Sequence, residues 1–292
     1  MTGRGLWIRS EMPADVTAAL RVLDRADLKA VETLLQRDPV EDCFVAARVR
    51  DSGLHAEGLG GQLWGWYSGG ELRSMCYSGA NLIPVQADAV ALSAFAARAA
   101  RLGRRCSSIV GPAESALALW SQLAGVWGPA REVRADQPLL VLDADPAIEA
   151  DPLVRPAAED DFDVLLPAAV AMFTEEVGVS PLAGGGGPAY RARLADLIRR
   201  GRALVRVSHG QVVFKAELAA VSDSVSQVQG VWVAPQYRGR GVGARGMAAV
   251  ATYARRSTPV VSLYVNAHNV SARQAYARVG FDERGRFATV LF

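Results

Sequence analysis

Arg238-Gly-Arg-Gly-Val-Gly243 is the stretch of this chain whose residue types and spacing are best suited to chemistry. It follows a strand-like run, Val228–Pro235, and opens a helix-like run that reaches about Arg256. A glycine-rich turn between strand and helix leaves main-chain N–H groups without intrahelical acceptors, at the positive end of the helix dipole. Donors ordered in this way suit a diphosphate. Gly241 and Gly243 carry no side chain to hold a phosphate off the backbone, and Arg238 and Arg240 add cationic donors. A tight connection with no ligand is the plainer reading of such a turn. The Walker pattern is excluded because Gly-Lys-Ser/Thr is missing, and the Rossmann spacing lacks its βαβ unit with an acidic residue downstream.

The residues after this helix add a second signal. Val260–Asn266 alternates as a strand, with Val261, Leu263 and Val265 on one side. In the next run Ala272, Ala275, Tyr276 and Val279 make the i, i+3, i+4, i+7 stripe of a short helix. Asn269 stands at its N-cap position and Gly280 at its C-terminal stop. From Val228 to Phe281 the chain resembles the GCN5-related N-acetyltransferase (GNAT) superfamily. Arg238, Gly241 and Gly243 match that family's pyrophosphate motif, and Asn269, Ala272, Tyr276 and Gly280-Phe281 match its second signature. Two separated motifs in the right order are more specific than either alone.

The resemblance implies acetyl-CoA as donor, an amine as acceptor, and direct attack in a ternary complex. It places the pantetheine arm beside Val231, Trp232 and Val233, and the pyrophosphate on the turn Arg238, Gly239, Arg240, Gly241, Val242 and Gly243. It gives Asn269 to the pantetheine and Tyr276 the role of general acid for the departing thiolate. Some family members use a glutamate five residues before the motif asparagine; here that position is Tyr264. Glu217 is then the best candidate base, and Glu175 and Glu176 are candidates to hold a cationic acceptor. His209 reads as a turn residue, His55 lies in a loop-like stretch, and His268 lies beside the motif with no counterpart in the family. No His, Cys and carboxylate cluster has metal-ligand spacing. The alternatives are a mycothiol synthase-like acetylation of a cysteinyl pseudo-disaccharide and a sensor that binds acetyl-CoA without turnover.

The elements that must position these residues fill only half of the chain. Asp143–Pro152 is a polar, Pro-punctuated connector, and a boundary at residue 149 separates residues 1–149 from a catalytic domain, 150–292. The second half reads strand, helix, glycine-rich loop (Gly184–Gly187), helix, hairpin, strand, helix, strand, helix, strand. The loop is expected to be either a mobile lid or a surface insertion. The first half has the same rhythm, which suggests a degenerate duplicate and an α/β (α+β) protein with two mixed, mostly antiparallel sheets flanked by helices. Its chemistry is missing: Gln86-Ala-Asp88 stands in place of the glycines, and Trp120 falls where Tyr276 lies. Five of the six tryptophans (Trp7, Trp64, Trp66, Trp120 and Trp127) are in this half, as packing or docking groups would be.

Composition limits the partners. Half of the 292 residues are apolar, and a net charge of +2 leaves no nucleic-acid footprint. No apolar run reaches the ~20 residues of a membrane span, and Met1–Trp7 lacks the apolar segment of a signal peptide. Cys43, Cys76 and Cys106 are odd in number and far apart, as in a reducing compartment. The expectation is a cytoplasmic enzyme with a small-molecule or peptide amine as acceptor. No motif encodes the oligomeric state.

Overall fold

The computed structural model describes residues 19–292; Trp7 and the N-terminal stretch read for a signal lie outside the described residues. The first half supplies β1 (Ala19–Val22), β2 (Gly61–Ser68), β3 (Glu71–Gly79), β4 (Asn81–Val85), β5 (Ser108–Pro112) and β6 (Glu132–Leu142). The second half supplies β7 (Arg155–Pro156), β8 (Ala203–Ser208), β9 (Gln211–Val221), β10 (Val225–Val233), β11 (Val260–Tyr264) and β12 (Asp282–Leu291). The helices of the first half are α1 (Leu28–Leu35), α2 (Cys43–Ser52), α3 (Ala56–Leu59), α4 (Ala89–Leu102) and α5 (Ala113–Trp127). Those of the second are α6 (Phe162–Val177), α7 (Gly187–Arg199), α8 (Val242–Ala254) and α9 (Val270–Val279).

Local sequence explains most of these elements. Gly69 and Gly70 both take positive φ, as a two-residue hairpin between β2 and β3 requires. Asp88 caps α4 by accepting from the Ala91 N–H, and Asn269 caps α9 by accepting from the Ala272 N–H. Gly280 ends α9 in the left-handed region.

All twelve strands join one sheet, in the order β1-β2-β3-β4-β5-β12-β6-β11-β10-β9-β8-β7. Read inward from either edge, each half contributes its first five strands in chain order and then receives the sixth strand of the other half. Among the described residues only the pairs β4–β5 and β10–β11 are parallel. This is the mixed, mostly antiparallel, helix-flanked fold read from the sequence. Its two expected sheets are joined edge to edge because β6 and β12 have changed places. The division of the sequence at residue 149 therefore does not divide the sheet.

The exchange also joins the cores. Leu140 and Leu142 of β6 are buried with Met247, Val250 and Tyr276 of the second half. Ala288 and Val290 of β12 are buried with Phe95, Leu119 and Leu123 of the first. Burying each leucine side chain contributes roughly 2 kcal/mol, so each half leans on a strand of the other. α2 extends the junction: Val45 and Val49 belong to the first-half core, while Cys43 and Ala47 pack on Ala220 and Val225. A helix buried on two sides has no single apolar stripe, which is why α2 was not legible in the sequence.

Three further differences from the sequence reading have physical causes. β6 extends back to Glu132, because pairing with β12 orders polar residues that have no pattern of their own. The first strand of the second half is only the two residues Arg155–Pro156. Gly184–Gly187 forms a 3₁₀ turn and the first residue of α7, and none of the four lines the clefts described below. The three cysteines are free and buried. Among the described residues no helix is long and apolar enough to cross a membrane.

Candidate active site

The site begins where two parallel strands part. β10 and β11 pair only from Val225↔Val260 to Gln227↔Ser262. On its other side β10 carries a bulge: Gln229 faces Glu217 and Trp232 faces Lys215, so Gly230 and Val231 share one opposing residue. Gly230 takes φ +60, a conformation that favours glycine. The strands diverge from there, and two clefts open in the gap.

The first cleft has a volume of about 540 Å³. Val231, Trp232 and Val233 form one wall, the turn from Arg238 to Gly243 closes one end, and α9 presents Asn269 and Tyr276. No side chain caps α8; its N-cap residue is Gly241, at φ +78. The main-chain N–H groups of Gly239 through Ala244 find no acceptor among the described residues. Nothing stands within 4 Å of where a Cβ would be at Gly239 or Gly241. A row of donors without protein acceptors at a helix N-terminus, with open space before it, fits a phosphate group.

Nine of the ten residues expected at the coenzyme line this cleft, the exception being Arg240. Its side chain belongs to a separate hollow with Asp151, Arg206 and Arg245, although its N–H remains in the row of free donors. Arg238 is not a free cation. Its Nε donates to the Val233 carbonyl at 2.9 Å and its Nη2 to Glu175 Oε2 at 2.7 Å. Glu175 also accepts from Trp232 Nε1 at 3.2 Å. The pair ties the turn to the ends of β10 and α6.

The second cleft, about 360 Å³, lies across the gap. α6 lines it with Met172, Glu175 and Glu176, and β11 and its following loop with Tyr264 and His268. β10 and α9 add Val231, Trp232 and Tyr276, and the first half contributes Glu132, Arg134 and Gln137 of the exchanged strand β6. Arg134 binds Glu132 through Nε at 2.9 Å and lies 3.6 Å from Glu176. Beyond Tyr264 the cleft shares Arg134, Gln137, Glu176 and Gln229 with a groove of about 450 Å³ that runs between the halves, past Phe44 and Phe173.

Tyr276 lines both clefts, as do Glu175, Val231, Trp232 and Asn269. Only 7% of it is exposed, and its ring meets Phe281 edge-on. Burial, with a smaller contribution from Glu176, pushes its phenol well above the ordinary range, so the proton stays on at neutral pH. Tyr264, whose hydroxyl accepts from Gln229 at 3.3 Å, is pushed up to about 12 by burial and then by Glu176.

Glu217 does not line either cleft and does not suit the role of base. It is 2% exposed; Oε1 accepts from Lys215 at 2.8 Å and Oε2 from Arg193 at 2.9 Å. Burial alone pushes its carboxyl up, but Lys215 and Arg193 outweigh burial and the net shift is downward. A carboxylate held ionised by two cations is a poor proton acceptor. The residues that sequence reasoning missed are Glu132, Arg134 and Gln137, for which no local signal exists. His268 it left unassigned, although its place next to Asn269 was the available hint.

A splayed parallel pair with a bulge, a bare helix N-terminus and a tyrosine between two clefts are the features of a GNAT-type fold. Residues 186–281 match the family described as Acetyltransferase (GNAT) family. Residues 61–165 match a Domain of unknown function (DUF4081). Among solved structures, a GCN5-related N-acetyltransferase from Sphaerobacter thermophilus superposes with a TM-score of 0.57 at 18% identity, covering 93% of this chain and 94% of that one. A GNAT-family acetyltransferase from Colwellia psychrerythraea gives 0.54 at 13%, covering 94% and 99%. A tandem GNAT protein from the clavulanic acid biosynthesis pathway gives 0.51 at 14%, covering 94% and 98%. At these identities the likeness is one of fold, and it extends over both halves. No curated protein matches the chain.

Proposed function

We propose that the second half transfers an acetyl group from acetyl-CoA to an amine by direct attack in a ternary complex. The observation that carries this reading is the position of Tyr276, on the wall common to a phosphate-accepting cleft and an acid-lined one. The free N–H row from Gly239 to Ala244 would hold the pyrophosphate, and the unpaired edge of β10 at Val231 and Val233 the pantetheine amides. Asn269 spends its side-chain oxygen on its own helix and keeps its amide NH₂ for the ligand.

On the opposite side, Glu175 and Glu176 would attract a cationic amine, and Glu176 and His268, through water, would take its proton. Tyr276, held protonated by burial, would supply the proton to the thiolate that leaves. The first half would contribute no catalytic group of its own kind but would complete the acceptor side through β6, which favours an acceptor long enough to reach the groove between the halves.

Thiol release from acetyl-CoA in the presence of amines, amino-sugars, polyamines and peptide N-termini tests the reading. Tyr276→Phe should lower kcat by roughly 10²–10⁴ while coenzyme A binding, measured by calorimetry, persists. Unchanged turnover in that variant would remove Tyr276 from the acid role. Coenzyme A uptake without thiol release from any acceptor would favour the sensor.

A further inference from the structure

Glu217 and Lys215 are 2% and 1% exposed, on β9 directly beneath the bulge of β10. A buried ion pair is weak as a source of stability, since apolar residues of similar size often serve as well. Its contacts indicate another use. Lys215 Nζ donates to Glu217 Oε1 at 2.8 Å and to the main-chain carbonyl of Gly230 at 2.9 Å. Arg193, half exposed on α7, secures the other oxygen of Glu217. A Cβ on Gly230 would come within 3.1 Å of Lys215 Nζ and 3.2 Å of Glu217 Cδ, so the cluster touches the bulge itself.

A trans peptide is planar, with its C=O and N–H pointing in opposite directions. Holding the Gly230 carbonyl onto Lys215 therefore turns the Val231 N–H away from the cluster. Val231 has no register partner in β9, pairing with β11 has ended at Gln227, and Val231 lines both clefts. We propose that Lys215, with Glu217 and Arg193 behind it, is a positioning device that aims the Val231 N–H at the thioester oxygen. A charged donor holds a carbonyl more firmly than a neutral one, and an N–H already oriented is most effective where negative charge develops. Glu217, on this assignment, holds the Lys215 ammonium in place through Oε1 and never meets substrate. The inference rests on the acetyl-transfer reading.

Two measurements test it. In the wild-type protein, the Val231 amide ¹⁵N–¹H signal should move farther with acetyl-CoA than with coenzyme A, which lacks the carbonyl. Lys215→Met should lower kcat roughly 100-fold while the KM for acetyl-CoA stays within about three-fold. In that variant the ¹³C=O band of bound acetyl-labelled acetyl-CoA, lowered in the wild type, should return toward its value in solution. A folded variant with full kcat, or with the band still lowered, overturns the proposal. So does a Val231 signal that responds equally to both ligands, which decides the matter even if Lys215→Met does not fold. No uptake of coenzyme A by the wild type would instead overturn the acetyl-transfer reading.

Discussion

Two turns occupy equivalent places in the two halves, and only one is open. In the first half the chain passes from β4 to α4 through Gln86-Ala-Asp88. Gln86, at φ +48, donates its side-chain amide to the Leu34 carbonyl at 2.7 Å and to Asp42 at 2.6 Å. The Asp88 carboxylate accepts from the Ala91 N–H at 2.8 Å, at the helix end where an anion would bind. In the second half the turn from β10 to α8 is longer, has glycine where Asp88 stands, and leaves its donors unpaired. One carboxylate and one tethered glutamine satisfy the first-half turn from within, whereas the second-half turn has no such partners. The same difference appears one helix later: Trp120 packs edge-on against Phe292, whereas Tyr276 borders two clefts.

The largest effect expected from this comparison comes from making the open turn resemble the closed one. Gly241→Glu places a carboxylate before the free donors and puts a side chain at φ +78, so coenzyme A uptake should fall below calorimetric detection. Retained uptake would break the comparison. A smaller effect concerns Asp42, the partner of Gln86. Burial, and to a lesser extent Asp38 and Glu41, pushes it up to about 7 against the Gln86 hydrogen bond. Between pH 4 and pH 7 the folded state therefore holds a proton that the unfolded state has released. Stability from this group is highest at low pH and declines as pH rises through that window, by roughly 4 kcal/mol. Asp42→Asn should flatten that decline in urea titrations at pH 5 and pH 8; an unchanged slope would remove Asp42 as its source. The smallest effect is at Asp88. Asp88→Ala should cost about 1 kcal/mol in the same titration without creating a second coenzyme site, because Gln86 still closes the turn.

Much of the second half was legible because its signals are local. Asn269 caps the very helix it was read to cap, Gly280 ends it, and Val231–Val233 and the glycines of the turn meet in one cleft. Each of these depends on backbone conformation within a few residues. Glu217 was misread for the opposite reason. On a strand, its neighbours in space are Lys215 two residues away and Arg193 on another element, and only packing shows that both reach the carboxylate. Arg240 is a milder case: its N–H follows the turn, but its side chain follows α8 to a different hollow.

The sequence alone determined where a helix N-terminus stands without a side-chain cap and which helix carries the tyrosine beside it, since glycine spacing, caps and apolar periodicity act over a turn or two of chain. Tertiary structure alone decided that β6 and β12 trade places, that Glu132, Arg134 and Gln137 thereby line the second cleft, and that a buried lysine grips the bulge. Pairing between strands more than a hundred residues apart comes from burying two cores at once, and no short stretch of sequence records that requirement.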